Sequence, residues 1–435
     1  MTSFQVIIAS FFILILIGTF LLMLPVSSQQ RQVTPFLDSM FTAVSATCVT
    51  GLVVQDTATY WSLFGQTVIL ILIQIGGMGV VTIGLMIIKA SGKKIGLWQR
   101  STMQESISAP HVGGIVRLTG FIIKISAVIE LTGAALLFPV FCRDFGVMRG
   151  LWYSLFHSIS AFCNAGFDLM GVRQPFSSLT TYSSNVYLSV VIMALIVTGG
   201  IGFIVWSDIG LNKRHLTKYT LHSKIVLLTS AVLIVLPAVY FFFYEYDILC
   251  FHDRVINSFF QSVTARTAGF NTANLAAMDE SGLSLMIILM LIGGSPGSTA
   301  GGMKTSTFAV LFLSAVTVFS RRDDVQCFKR RISDETVRTA GAILFIYILL
   351  FLSGGIFISR VENLPLLTCL FETGSAIGTV GLTLGITSTL SSLSKIILML
   401  LMFFGRVGGL TLIYAAIPSA ENKNSRFPLG KISVG

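Results

Sequence analysis

Backbone carbonyls that turn toward a common point can replace the water around an alkali cation, and glycine lets them turn because it adopts positive φ freely. Four short segments of this 435-residue chain close on such a glycine. They are Ala46-Thr47-Cys48-Val49-Thr50-Gly51, Ala161-Phe162-Cys163-Asn164-Ala165-Gly166, Ala265-Arg266-Thr267-Ala268-Gly269 and Ile377-Gly378-Thr379-Val380-Gly381. The side chains next to the glycines, Thr50, Ala165, Ala268 and Val380, are unequal and none is a carboxylate. An acidic ring of the kind that holds calcium is therefore disfavoured, and main-chain ligation of a monovalent cation is favoured. One such glycine is a turn between two helices. Four in register describe a filter.

A further glycine-rich segment, Gly293-Gly294-Ser295-Pro296-Gly297-Ser298-Thr299-Ala300-Gly301-Gly302-Met303-Lys304-Thr305, interrupts a long apolar run. Gly297 and Gly302 have the separation found in a phosphate-binding loop, but Met303 stands where that motif has its lysine, and no soluble strand precedes it. Glycine, serine and proline at this density do not hold helix, and the backbone groups they free need a wet cavity. The segment reads as a movable obstacle beneath the filter. Lys304 requires a carboxylate or carbonyl partner, because a lone ammonium in hydrocarbon is costly. Arg406, in Phe404-Gly405-Arg406-Val407-Gly408-Gly409, is a second cation inside an apolar run. It reads either as a barrier in the ion path or as half of a structural salt bridge. Glu130 reads as the buried partner of a Lys or Arg. Arg266 reads as a brace behind the third segment, since a guanidinium facing the ion would block it.

The elements that position these groups follow from composition. The chain is 54% hydrophobic and 11% charged, with 34 Phe and a mean hydropathy of +0.84, so its solvent must be lipid. Apolar runs long enough to span a bilayer lie at about 4–25, 66–89, 118–141, 186–206, 225–244, 283–319, 339–358 and 396–416. The first is a retained span and not a signal peptide, lacking a basic start and a small-residue cleavage site. The filter glycines at 51, 166, 269 and 381 fall between alternate pairs of runs. This predicts an all-α membrane protein, a single pore domain over 1–435 built from four span–pore loop–span repeats at about 1–90, 115–207, 222–320 and 338–418, with its sixth helix broken and a short tail at 419–435. Thr34-Pro35 and Asn363-Leu364-Pro365 are helix-start signals for short re-entrant helices, with Thr34 as the cap and Pro35 as the first helical residue. The six cysteines show no metal-ligand spacing and imply no disulfide.

Charge gives orientation. The linkers between repeats hold Lys89, Lys93, Lys94, Arg100, Arg117, Lys213, Arg214, Lys218, Lys224, Arg321, Arg322, Lys329, Arg330, Arg331 and Arg338, and the tail adds Lys423, Arg426 and Lys431, which is 18 of 29 basic residues. The positive-inside rule places the linkers and both termini in the cytoplasm and the filters outside. The net charge of +10 thus reads as topology plus contact with anionic lipid or an acidic partner, and not as nucleic-acid binding.

The four glycine segments, the stretch Thr264-Ala265-Arg266-Thr267-Ala268-Gly269-Phe270-Asn271-Thr272, the loop from Gly293 to Thr305 and Gly405-Arg406-Val407-Gly408 resemble the Trk/Ktr/HKT superfamily of potassium translocators over essentially the whole chain. With no extra N-terminal pair of spans, the chain is more similar to the Ktr membrane subunit than to the larger Trk one. The resemblance implies potassium uptake across the plasma membrane, selectivity at Gly51, Gly166, Gly269 and Gly381, and gating by the broken helix with Arg406. It also implies a homodimer on cytoplasmic nucleotide-binding regulatory subunits of the KtrA type, sodium as an activator and no organic cofactor. Relatives that pass sodium carry serine at the first filter glycine, so Gly51 implies potassium. Two other classes compete. An alternating-access sodium/potassium or proton-coupled symporter would have inverted repeats, whereas these copies run in one direction. A membrane enzyme would need a motif such as HExxH, which the sequence lacks.

Overall fold

The computed structural model describes residues 2–90, 95–107 and 113–416. Lys93, Lys94 and the tail 419–435 with Lys423, Arg426 and Lys431 lie outside the described residues. The chain is mostly helical. A long helix, a short helix and a broken helix succeed one another along it.

The first such group is α1 (Ser3–Met23), α2 (Phe36–Thr47), and the pair α3 (Leu63–Met78) and α4 (Val80–Ala90). After the linker helix α5 (Leu97–Ile107) come α6 (Ile115–Phe145), α7 (Val147–Phe162), and α8 (Val186–Gly200) with α9 (Phe203–Asn212). Then follow α10 (Leu221–Tyr240), α11 (Phe251–Thr264), and α12 (Glu280–Ile292) with α13 (Thr305–Phe319). A two-stranded hairpin, β1 (Gln326–Cys327) and β2 (Arg330–Arg331), leads into α14 (Asp334–Glu362), α15 (Leu366–Ile377), and α16 (Ser392–Val407) with α17 (Gly409–Ala416).

Among the described residues, four helices are long and apolar enough to cross a membrane: α1, α6, α14, and α10 with its continuation to Glu245. Only 28–39% of their most apolar windows is buried inside the protein, so their outward faces present hydrocarbon to the surroundings, as lipid requires. The short helices α2, α7, α11 and α15 occupy the interior instead, with their C-terminal halves buried.

Runs expected to be continuous are not. Residues 66–89 break at Gly79 (φ +89°), residues 186–206 at Gly202 (φ +103°) and residues 396–416 at Gly408 (φ +91°). The α8 and α9 axes meet at 94°. A glycine in this conformation ends a helix at no steric cost, which explains why each break falls where it does. The first short helix starts one residue later than its signal suggests, whereas α15 begins at Leu366, directly after its signal. Pro35 and Pro365 occupy the cap positions, and the Pro35 carbonyl accepts from the Ser39 amide at 3.0 Å. The Thr34 hydroxyl is no cap; it accepts a hydrogen bond from Tyr60 Oη at 3.1 Å.

Packing closes these groups into a circle. The broken helix of each group touches the short helix of the next: α3 against α7, α8 against α11, α12 against α15, and α16 against α2. Glycine makes the closest approaches. A Cβ at Gly76, Gly199 or Gly405 would collide with the carbonyl oxygen of Thr47, Phe162 or Ile377 respectively, each of them at the C-terminus of a short helix. Gly199→Ala is therefore expected to destabilise the folded protein by about 1–3 kcal/mol through overpacking. Gly341→Ala, on α14 with nothing within 4 Å, should be neutral or gain about 0.5–1 kcal/mol. Thermal melting of the two detergent-solubilised variants separates these outcomes, and equal midpoints would refute the steric account.

Candidate functional site: a ring of four glycine loops

The short helices end near one another, and the four glycine segments continue from their C-termini. In each segment the backbone takes the same form. The residue two before the glycine has positive φ: Val49 at 58°, Asn164 at 56°, Thr267 at 70° and Thr379 at 50°. Gly51, Gly166, Gly269 and Gly381 follow at 92°, 69°, 77° and 94°. Left-handed conformations are unfavourable for β-branched Val49, Thr267 and Thr379, so the surroundings must impose them. Alternating hand along three residues faces successive carbonyls the same way, which a straight strand cannot do.

The glycines meet in a closed cycle. A Cβ on Gly51 would strike the Ala165 oxygen, one on Gly166 would lie 2.9 Å from the Ala268 oxygen, one on Gly269 would strike the Val380 oxygen, and one on Gly381 the Thr50 oxygen. Each glycine thus abuts the carbonyl that precedes the next glycine in the cycle. Any side chain here would both strain the backbone and displace that oxygen.

Hydroxyls hold the loops from behind. Ser45 and Ser375 Oγ accept from the amides of Gly51 and Gly381 at 3.1 and 3.0 Å. Ser160 Oγ and Thr264 Oγ1 donate instead to the carbonyls of Phe167 and Phe270, at 2.6 and 2.5 Å. The hydroxyls of Thr47, Thr50, Thr267 and Thr379 are buried with no partner among the described residues, an arrangement that costs free energy unless something else accepts or donates. Cys48 and Cys163 are buried, free thiols. Above the ring lies an outer cavity of about 500 Å³, bordered by Gly51, Gly166, Gly269 and Gly381.

Beneath it, an inner cavity of about 300 Å³ is lined by Gly79, Gly297, Lys304 and Arg406 among others. Residues 293–304 are not helical and thread between the broken helices. Their backbone amides bond to carbonyls that the breaks expose: Ser295 and Thr299 donate to Gly200 and Gly199 at 3.1 and 3.3 Å, and Gly302 donates to Gly405 at 3.1 Å. Thr299 Oγ1 donates to the Phe162 carbonyl at 2.9 Å. Gly301 lies against Thr379, and Gly302 against Gly378, which places the segment directly under the fourth glycine loop.

The two cations take carbonyl partners. Lys304 Nζ donates to the oxygens of Ala300 at 2.9 Å and Gly301 at 3.3 Å. Arg406 donates to the oxygens of Thr299, Gly76 and, at 2.8 Å, Gly77. No salt bridge to Arg406 occurs among the described residues. Arg266 points away from the ring, with Nη2 3.1 Å from Ser230 Oγ on α10. The Glu130 expectation needs correction. Its carboxylate accepts from Gln74 Nε2 at 3.0 Å and meets no Lys or Arg among the described residues, because the group facing it on α3 is an amide.

Comparison with known proteins fits this geometry. The TrkH model, described as cation transport protein, matches residues 1–425. The chain belongs to the TrkH family. It is 39% identical to the Potassium/sodium uptake protein NtpJ of Enterococcus hirae, over 99% of this chain and 97% of that one. It is 38% identical to the Ktr system potassium uptake protein B of Bacillus subtilis, over 99% and 96%. Its fold matches the potassium transporter TrkH of Vibrio parahaemolyticus with a TM-score of 0.74 and 17% identity, covering 95% of this chain and 84% of the other. Family membership makes it a multi-pass membrane ion transporter and sets the enzyme reading aside.

Some groups that shape the site carry no obvious signal in the sequence. Asp38 on α2 and Lys395 on α16 form an ion pair at 3.4 Å with side chains only 16% and 13% exposed, joining the last group to the first. Gln55 also donates to Asp38, at 3.2 Å. A double-mutant cycle with Asp38→Asn and Lys395→Met should return a coupling of about 1–3 kcal/mol in the thermal stability of the protein. Additive effects would show that the pair does not help close the ring.

Proposed function

We propose that this chain is the potassium-conducting membrane subunit of a Ktr-type uptake system in the plasma membrane. It acts as one pore domain of four repeats with eight crossings, both termini in the cytoplasm and the outer cavity outside. The observation that carries the reading is the closed cycle of Gly51, Gly166, Gly269 and Gly381 with the preceding carbonyls directed at it. A dehydrated potassium ion within that cycle would be held by main-chain oxygens and the partnerless threonine hydroxyls, with Thr47, Cys48, Val49, Cys163, Asn164, Ala165, Thr267, Ala268, Thr379 and Val380 forming the wall. The carbonyl ends of α2, α7, α11 and α15 add partial negative charge at the same place.

Residues 293–304 and Arg406 then form the gate. They lie across the inner side of the cycle, and passage requires the loop to move aside. The names of the relatives support potassium as the cargo. The Enterococcus relative's name includes sodium as well, and a sodium requirement or sodium permeation belongs to the same reading. A homodimer bound to KtrA-type nucleotide-binding subunits completes the assembly, since no feature of the sequence supplies a nucleotide site. A cation symporter is the second reading, favoured only if flux shows a fixed stoichiometry.

Two measurements test this on the full chain in lipid vesicles, with potassium and sodium uptake compared. The unaltered chain should pass potassium, down its gradient and in preference to sodium. Gly51→Ser, which places a side chain at φ +92° against the Ala165 oxygen, should cut that preference by roughly tenfold. An unchanged ratio would remove the first loop from the filter. Deleting residues 297–302 should raise potassium flux; flux at the parental level would reduce the segment to a linker.

A further inference from the structure

The inner cavity contains a charged group that neither the filter nor the gate accounts for. Helix α5 belongs to the linker between the first two groups, yet it packs against both α1 and α4 and reaches the rim of this cavity. Glu105 and Ser106 on its last turn line the cavity beside Gly77 and Gly79, and Ser106 Oγ would sit 3.4 Å from a Cβ on Gly79. Among the described residues that line the cavity, Glu105 carries the single carboxylate, and the other charged groups are Lys304 and Arg406. Ser3 of α1 lies beside the carboxyl, and Oε2 is buried with no hydrogen-bond partner among the described residues. Lys304 and Arg406 do not neutralise it; their donors are committed to carbonyl oxygens of the gate segment and of α3.

A cation that has left the glycine cycle and is regaining water meets two positive charges in this space. Unopposed, they would raise the barrier to exit, because interactions in a cavity walled by apolar helices are weakly screened. We propose that the Glu105 carboxylate is the cation's ligand at the inner mouth, binding it on exit and offsetting Lys304 and Arg406. This rests on the conduction reading above and extends it to the cytoplasmic side. It also gives α5 a function: displacing this linker helix withdraws the carboxylate and closes the exit electrostatically, without any change at the filter.

The test uses the full chain in vesicles, with potassium flux measured as external potassium is varied. Glu105→Gln should lower maximal flux roughly three- to tenfold, the change expected for loss of one unit charge near the path, and leave half-saturation by external potassium unaltered. Glu105→Asp should keep most of the flux. Charge itself is isolated by Glu105→Cys treated from the cytoplasmic side with membrane-impermeant thiosulfonates. A reagent that attaches a sulfonate should restore flux, and one that attaches a quaternary ammonium should lower it further, while the parent chain, with its native cysteines, responds to neither. Equal responses to the two reagents, or a Glu105→Gln variant that conducts like the parent, would overturn the assignment. If Glu105→Gln does not give monodisperse protein, the opposite effects of the two reagents on Glu105→Cys decide the matter. A parent chain that passes no potassium counts against the function proposed above, whereas a conducting parent with indifferent Glu105 variants counts against this inference alone.

Discussion

The structure depends on carbonyl oxygens being brought closer to neighbouring backbone than any side chain would permit. At the centre, Gly51, Gly166, Gly269 and Gly381 each accept an oxygen from the adjoining loop into the space a Cβ would fill. One level lower, Gly76, Gly199 and Gly405 admit the last carbonyls of α2, α7 and α15 in the same way. Carbonyl dipoles this close repel one another and are poorly hydrated, so the arrangement is unfavourable by itself. Two things offset it. The hydroxyls behind the loops fix the backbone, and the apolar packing of the long outer helices holds the groups together at a distance from the axis.

Every broken helix leaves carbonyls without an i+4 donor, and in a membrane interior those must find partners. The third group provides them. Its non-helical stretch sends amides to Gly199, Gly200 and Gly405, so the loop under the ring satisfies the breaks in the second and fourth groups. Arg406 satisfies the break in the first by donating to Gly76 and Gly77. The loop is consequently held by bonds that water could supply equally well. On the proposed reading, exchange of these bonds for water lets the loop move aside as a movable obstruction.

Much of this was legible from residue types. The four loop glycines stand out because left-handed backbone and close approach both select glycine, and recurrence at four places separates them from ordinary turns. The stretch 293–304 stood out because no helix survives that composition. Other features stayed hidden. Gly76-Gly77-Met78-Gly79 and Gly199-Gly200-Ile201-Gly202 sit inside apolar runs where glycine also serves simple helix packing, so the breaks at Gly79 and Gly202 read as continuous spans. Their likeness to Gly405-Arg406-Val407-Gly408 was the available signal. The positive φ of Val49 and Thr267 had none, since local preference opposes it and only the surrounding ring imposes it. Glu130 was matched with a cation by charge alone, whereas its partner is Gln74, chosen by which face of α3 meets α6.

That likeness among the breaks also explains why an arginine occupies the fourth. Arg406 stands where the first two groups have Gly77 and Gly200, and its planar fork spans acceptors on two different elements, Thr299 of the loop and Gly76 with Gly77 of α3. A lysine, with a compact ammonium, would be a point charge unable to bridge them in the same plane. The guanidinium thereby ties the loop to the first group and also puts a full positive charge on the inner side of the ring. On the proposed reading the two effects act together. A cation in the glycine cycle is attracted from behind by helix C-termini and opposed from below by Arg406, so it rests in the ring until the loop and the arginine separate. Because the same hydrogen bonds fix the loop and aim the charge, breaking them removes the steric and the electrostatic obstruction in one movement.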